Sequence, residues 1–320
     1  MPPDEQALTF PCAGEWLTAI LSPAAQCASP LQRRGVLIVV GGPQYRAGSH
    51  RQFALLARAL AAQGIPAMRF DYRGMGDSGG PARNFEDVDS DLRAAIDRFM
   101  AAVPGMEEVV IWGLCDAASA ALFYAQHDRR VSGLVLLNPW ARTPDGHARA
   151  TLKHYYVERL LQPALWKKVA SGQFEFGKAL RSLTGLLRAS RGGATEQPGA
   201  AVPAPSDAAA PAPRASASAM PASPNLHARM QAGWQGFPGP ILLIISGADL
   251  TAQEFLDMVK ASRQWRKLLA APRVQRRTLP AADHTFSRRE WRDQVAAWTA
   301  AWVHETGQTG NRAHEIGARA

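Results

Sequence analysis

The feature that most constrains this chain is a series of short apolar runs that alternate with segments of helical period. The runs are rich in Val, Ile and Leu and are too short for a globular helix. Strands that are apolar on both faces and alternate with helices form parallel sheets covered by helices on both sides. We therefore expect an α/β fold with a mostly parallel central sheet flanked by helices. The predicted strands are 35–40, 65–70, 108–112, 134–137, 241–245 and 274–279, and the predicted helices are 53–62, 88–102, 117–126, 254–269 and 291–303.

The N-terminal segment does not follow this alternation. Two apolar stretches, 8–12 and 16–21, lie on either side of Gly14, and glycine is typical of the tight turn in a hairpin. This pattern predicts an antiparallel hairpin that leads into the sheet. The core of the fold is then expected to comprise residues 1–140 and 236–305.

The alternation stops after Leu137 and resumes at Ile241, so the chain carries a long insertion after its sixth predicted strand. Residues 150–188 have helical spacing of apolar side chains, and residues 141–188 are predicted to form a helical cap. Residues 189–224 contain 13 Ala, 7 Pro and no aromatic residue. This composition cannot bury enough apolar surface to offset the entropy of ordering, so we expect a disordered tether. A loose tail is expected over residues 306–320.

Composition narrows the classes of function. No apolar run reaches the roughly 18 residues of a membrane span, and the N-terminus lacks the pattern of an export signal. The cysteines Cys12, Cys27 and Cys115 are scattered, so we expect no disulfide framework, no metal site and no cofactor, in a cytoplasmic protein. A net charge of +9 favours contact with anionic groups such as phosphates, membrane headgroups or acidic carrier proteins, among which charge alone does not choose. No nucleic-acid-binding motif accompanies this charge, so we expect a small acyl substrate or an acyl carrier and no nucleic acid.

The first candidate for chemistry is Cys115, in the stretch Trp-Gly-Leu-Cys-Asp-Ala between a predicted strand and a predicted helix. The spacing is that of the nucleophile elbow Gly-x-Ser-x-Gly, in which small residues allow a strained turn to expose the nucleophile. Cys115 takes the serine position and Ala117 takes the last glycine. A thiol can attack a carbonyl in this geometry. The alternative is a structural cysteine buried in a tight turn.

Two further candidates follow later strands. Asp249 comes after the strand 241–245, and His284 comes after the strand 274–279. With Cys115 they give the chain order nucleophile, acid, histidine, which α/β hydrolases use and chymotrypsin and subtilisin do not. Taken alone, Asp249 would be a helix N-cap and His284 an ordinary loop residue. Asp145, in the loop after Leu137, is the rival for the acid.

Acyl transfer also needs hydrogen-bond donors for the oxyanion, the group of donors called the oxyanion hole. One donor is expected to be the backbone N–H of Asp116, directly after Cys115. The other should come from the loop after the strand 35–40. Pro43 has no N–H, so Gly42 or Gln44 remains as the second donor. The alternative is a plain Gly-Pro turn.

The stretch 70–78, Phe-Asp-Tyr-Arg-Gly-Met-Gly-Asp-Ser, resembles the Asp-x-Arg-Gly-x-Gly-x-Ser turn of the α/β-hydrolase superfamily, including its serine aminopeptidase-like members. Residues 41–46 and 112–117 together resemble, more narrowly, the bacterial exosortase A system-associated hydrolase 1 group, which is encoded near machinery for exopolysaccharide production. The resemblance implies the α/β-hydrolase fold and a cytoplasmic hydrolase of unassigned substrate. The departure from the superfamily is cysteine in place of serine.

These observations predict a hydrolase in which Cys115, Asp249 and His284 cleave an ester or a thioester through an acyl-enzyme. Two alternatives stay open at this point: an acyltransferase that uses a sugar acceptor, and a non-catalytic scaffold. The predicted cap carries nine Lys and Arg against three acids over residues 141–188. This charge would steer an anionic substrate or an acyl carrier toward the thiol, or it is simply a solvated helix face.

Overall fold

The computed structural model describes residues 5–25, 33–42, 44–142 and 225–317, with side chains as far as residue 307. The described residues belong to one compact unit, formed by residues 1–150 and 217–320. Its strands are β1 (Gln6–Cys12), β2 (Glu15–Ser22), β3 (Arg34–Val39), β4 (Ala67–Asp71), β5 (Glu108–Leu114), β6 (Val131–Leu137), β7 (Ile241–Ser246) and β8 (Val274–Leu279). Its helices are α1 (Gln52–Ala62), α2 (Asp89–Ala102), α3 (Asp116–Ala125), α4 (Leu226–Gly236), α5 (Leu250–Ala261), α6 (Arg263–Leu269) and α7 (Arg289–Gly317).

The eight strands form one sheet in the order β1-β2-β4-β3-β5-β6-β7-β8. The β1–β2 and β2–β4 pairs are antiparallel, and every other neighbouring pair is parallel. The predicted mostly parallel sheet and the predicted N-terminal hairpin are thus confirmed. Because β3, β5, β6, β7 and β8 are parallel, the loops that follow them lie at the same edge of the sheet.

The core lies on both faces of this sheet. Side chains alternate across a strand, so Val36 and Ile38 of β3 pack on one face, while Leu37 and Val39 pack on the other. Helices α1 and α7 cover the first face, and α2 to α6 cover the second. This burial on both sides explains why Val36–Val39 of β3 are continuously apolar rather than alternating.

The structure differs from the sequence prediction in three elements. The predicted helix 254–269 is two helices, because the Ser262 hydroxyl accepts the Trp265 N–H as the N-cap of α6. Helix α4 lies in a stretch for which the sequence pattern predicts no helix or strand, and its Trp234 is fully buried. Helix α7 continues to Gly317, where a loose tail was expected, since no proline interrupts its last turns.

The predicted cap and tether lie outside the described residues, apart from Ala141 and Arg142. Both of these residues follow β6 and belong to the same compact unit as the sheet.

Candidate active site

Cys115 lies at the sharp turn between β5 and α3. Its backbone has φ 64° and ψ −123°, a conformation that side-chain-bearing residues rarely adopt. Gly113 makes this turn possible, because a Cβ at this position would lie 2.6 Å from the Ala117 carbonyl oxygen. The Cys115 N–H donates to the Leu137 carbonyl at 2.9 Å, and its carbonyl accepts the Trp140 N–H at 3.1 Å. The residues around Cys115 thus hold a strained turn in the form of a nucleophile elbow.

The environment of the Cys115 thiol favours its neutral form. Burial raises the pKa of this thiol well above its ordinary value, and the charges of Asp116 and Asp249 raise it further. The Asp116 N–H and the Arg142 guanidinium act in the opposite direction. A thiol in this state needs a base that removes its proton during attack on a carbonyl carbon.

Asp249 and His284, which follow β7 and β8, meet at this edge of the sheet. The His284 Nδ1 lies 2.9 Å from Asp249 Oδ2, and the Asp249 side chain is 6% exposed. The same carboxylate caps α5, because it accepts the N–H groups of Thr251 at 3.2 Å and Ala252 at 3.0 Å. The N-cap role and the contact with His284 are therefore combined in one side chain.

Asn138 is a further site residue that the sequence analysis missed. It follows β6, is fully buried and has φ 43°. Its side chain accepts the Ser246 N–H at 2.9 Å and donates to the His284 carbonyl at 3.2 Å and to the Ser246 hydroxyl. Asn138 thereby ties the histidine loop to the ends of β6 and β7. A polar residue that tolerates positive φ, directly after an apolar strand, is the signal that was available.

The loop after β3 runs beside the elbow. The Gly42 N–H, one of the two predicted loop donors, points at the Asp116 side chain and donates to its Oδ2 at 2.7 Å. The Asp116 Oδ1 accepts the Ala117 N–H at 2.9 Å. Burial raises the pKa of Asp116 to about 6, although these two N–H groups oppose the shift. Gln44, the other predicted donor, lies in the same loop, and its side chain accepts the Ser49 N–H at 3.3 Å.

The stretch 70–78 makes structural contacts with the loop after β3 and supplies no reacting group to the proposed site. Buried Asp71 accepts the Arg46 N–H at 2.6 Å and also pairs with the Arg46 guanidinium. Arg73 pairs with buried Asp91 at 2.7 Å, and Ser78 donates to the Asp71 carbonyl at 2.6 Å. The Arg46 contacts thus join the loop after β3 to the end of β4, and the Arg73–Asp91 pair joins the turn after β4 to α2.

Asp145, the rival for the acid, lies outside the described residues, as do eight of the nine basic residues of the predicted cap. The ninth, Arg142, pairs with Glu254 at 2.9 Å and lies over the Trp140 ring at 4.7 Å. Its charge is therefore already compensated within the fold.

Among the described residues, no group of three or more His, Cys, Asp or Glu is placed to hold a metal ion. No described helix is both long and apolar enough to cross a membrane.

Comparison with known proteins places the chain in a family. The model of the alpha/beta hydrolase family matches residues 36–298. No curated protein matches the sequence. Among solved structures, the esterase Pf2001 of Pyrococcus furiosus is similar, with a TM-score of 0.56 and 14% identity over 94% of this chain and 93% of that chain.

Two more solved structures have the same fold. The esterase domain of a Rhodothermus marinus protein is similar, with a TM-score of 0.54 and 18% identity over 94% of this chain and 99% of that chain. Est1E of Butyrivibrio proteoclasticus, solved with ferulic acid, has a TM-score of 0.57 and 14% identity over 94% of this chain and 99% of that chain. At identities this low, the likeness to solved structures shows the fold alone. The family model, in contrast, matches most of the sequence. The chain therefore belongs to the alpha/beta hydrolase family.

Proposed function

We propose that this protein is a hydrolase of carboxylic esters or thioesters that uses Cys115 as its nucleophile, His284 as its base and Asp249 as the acid that orients His284. The observation that carries the proposal is the 2.9 Å contact between Asp249 and His284 at the edge of the sheet where Cys115 lies in a strained turn. A buried carboxylate on one ring nitrogen of a histidine fixes the tautomer that can accept a proton at the other.

The proposed reaction has two half-reactions. Cys115 Sγ attacks the acyl carbon while its proton passes to His284 Nε2, and the carbonyl oxygen becomes an oxyanion. The bond to the leaving group then breaks, and His284 returns the proton to that group. Water, deprotonated by His284, hydrolyses the resulting acyl-enzyme and regenerates the thiol. Because the structure raises the pKa of the Cys115 thiol, His284 has to remove the proton in the same step as the attack.

The oxyanion is proposed to bind the Asp116 N–H together with an N–H of the loop after β3, from Gly42 or Gln44. The first donor is supported by the position of Asp116 as the first residue of α3, where backbone N–H groups lack partners within the helix. The positive end of the helix dipole adds to this stabilisation.

The substrate is proposed to be a small anionic acyl ester or the acyl group of a carrier, which the net charge of +9 supports. The enzyme is proposed to act in the cytoplasm in association with exopolysaccharide or exosortase systems, which the narrower sequence resemblance supports. A reducing compartment also suits a mechanism that needs a free thiol.

The test is turnover of a panel of activated acyl esters and acyl thioesters by the wild type and by Cys115→Ala and Cys115→Ser. We expect the alanine variant to be inactive and the serine variant to keep a small part of the activity, because the base and the oxyanion donors remain. Cys12→Ala, at a cysteine buried in β1, is the matched control and should keep full activity.

Full activity of Cys115→Ala would exclude Cys115 from the mechanism. A wild type that is inert toward the whole panel would favour a non-catalytic scaffold. Product that appears only when a sugar acceptor is added would show acyl transfer instead of hydrolysis.

A further inference from the structure

The side chain of Asp116 accepts two backbone N–H groups next to Cys115, and one of them, the Gly42 N–H, is a proposed oxyanion donor. Its Oδ2 accepts the Gly42 N–H at 2.7 Å, and its Oδ1 accepts the Ala117 N–H at 2.9 Å. The carboxyl packs so closely on the loop after β3 that a Cβ at Gly41 would collide with Oδ1. The Asp116 carboxylate thus joins the two residues after Cys115 to Gly42, which lies 74 residues before Asp116 in the chain.

This contact opposes catalysis while the carboxyl is ionised. An oxyanion hole works by aiming unoccupied donors at the negative charge of the transition state. The Gly42 N–H is occupied, and Pro43 has no N–H to replace it, which leaves Gln44 as the other donor proposed for this loop. An ionised carboxylate at this position also repels the oxyanion and raises the pKa of the Cys115 thiol.

We propose that Asp116 is a positioning residue that controls the oxyanion hole: its ionised carboxylate holds the Gly42 N–H tightly, and its neutral form holds that N–H more weakly and yields it to the acyl oxygen. This inference rests on the proposed hydrolase function, because it concerns the oxyanion of that reaction. It assigns to Asp116 a side-chain role that is separate from its backbone N–H.

Burial and the surrounding charges set the direction of the pH dependence. Burial raises the pKa of Asp116 to about 6, while a charged His284 lowers it. Asp116 is therefore mostly ionised at pH 8 and mostly neutral at pH 5. The titratable and charged groups that interact with Asp116 or with its neighbour in the turn are Tyr72 after β4, Cys115, Arg142 after β6, Asp249 after β7 and His284 after β8.

The first test measures the hydrogen bond between the Gly42 N–H and Asp116 and does not depend on enzyme activity. The amide proton shift of Gly42, followed by NMR through a pH titration, should change with a midpoint of about 6 in the wild type. In Asp116→Asn this step should be absent. Asp97→Asn is the matched control, because Asp97 is an exposed acid on α2, paired with Arg130, and it should leave the Gly42 titration unchanged.

The second test measures the rate of ester hydrolysis. At pH 8, Asp116→Asn should raise kcat about tenfold or more with little change in KM, because a neutral amide oxygen holds the Gly42 N–H less tightly than a carboxylate does. The ratio of variant to wild type should approach one at pH 5. Asp116→Ala has no side-chain acceptor and should give at least the same rise at pH 8. Asp97→Asn should give none.

The outcomes separate the two proposals. If the wild type turns over esters and neither Asp116 variant is faster at pH 8, the inference is wrong while the hydrolase function stands. A Gly42 amide that does not titrate near pH 6 overturns it as well. If no form of the protein turns over any ester although Gly42 still titrates, the hydrolase function fails and the Asp116–Gly42 contact stands.

Discussion

Asp249 allows the two roles of one carboxylate to be separated by substitution. It caps α5 through two N–H groups, and it contacts His284 at 2.9 Å. Asparagine is about as good an N-cap as aspartate, whereas alanine cannot cap and costs about 0.5–2 kcal/mol. We therefore expect Asp249→Asn to unfold at nearly the wild-type urea concentration and Asp249→Ala to lose about 0.5–2 kcal/mol of unfolding free energy.

The effect of Asp249→Asn on activity follows from the same geometry. The Thr251 N–H bonds Asp249 Oδ1, whereas the Ala252 N–H shares Oδ2 with His284. An asparagine that keeps its oxygen at the Thr251 N–H therefore turns its NH₂ toward His284 Nδ1. An NH₂ donor at this position makes Nδ1 the acceptor, so the proton moves to Nε2, the atom that has to accept the proton of the thiol. Because burial keeps Cys115 neutral, the loss of this base should lower kcat/KM by about 10²–10⁴-fold.

The assay combines urea unfolding, followed by tryptophan fluorescence, with the rate of ester hydrolysis for the wild type and both variants. We expect Asp249→Asn to be stable and almost inactive, and Asp249→Ala to be less stable and almost inactive. Activity of Asp249→Asn within about threefold of the wild type would refute the reasoning, since it would leave the carboxylate as a helix cap only.

Three other predictions concern the same site. Asn138→Ala leaves the Ser246 N–H and the His284 carbonyl without their buried partner, so urea unfolding should show a loss of about 2–5 kcal/mol; a loss under about 1 kcal/mol would contradict this. Gly113→Ala should lower the unfolding free energy by about 1–3 kcal/mol and reduce kcat, because the new Cβ meets the Ala117 backbone; wild-type values would contradict it. If the basic residues between 141 and 188 steer an anionic substrate, rising ionic strength should lower kcat/KM for an anionic ester only, and equal salt dependence for a neutral ester would exclude steering.

Local sequence patterns were sufficient for most of the sheet, but they did not predict features that depend on distant contacts. Val36–Val39 and similar runs were predictable because burial on both faces demands continuous apolar residues. Helix α4 was missed because its periodicity is weak. What holds it is the packing of Trp234 on Trp265, with ring centroids 5.6 Å apart, and on Phe255.

The candidate site shows the same limit. The proximity of Cys115, Asp249 and His284 could be predicted, because each follows a predicted strand and parallel strands bring those ends to one edge of the sheet. The sequence offered helix capping and contact with His284 as alternatives for Asp249, whereas in the structure one carboxylate does both. The bond from Gly42 to the Asp116 side chain joins residues 74 apart, and no local pattern encodes such a pairing.

The central claim, that Cys115 carries the acyl group, is tested most directly by the mass of the intact protein. The wild type, mixed with an activated acetyl ester and quenched with acid within the first turnover, should gain the mass of one acetyl group. Proteolysis should locate this group on the peptide that contains Cys115, and Cys115→Ala should gain nothing. An acetyl group on another residue, or hydrolysis by Cys115→Ala at the wild-type rate, would contradict the account.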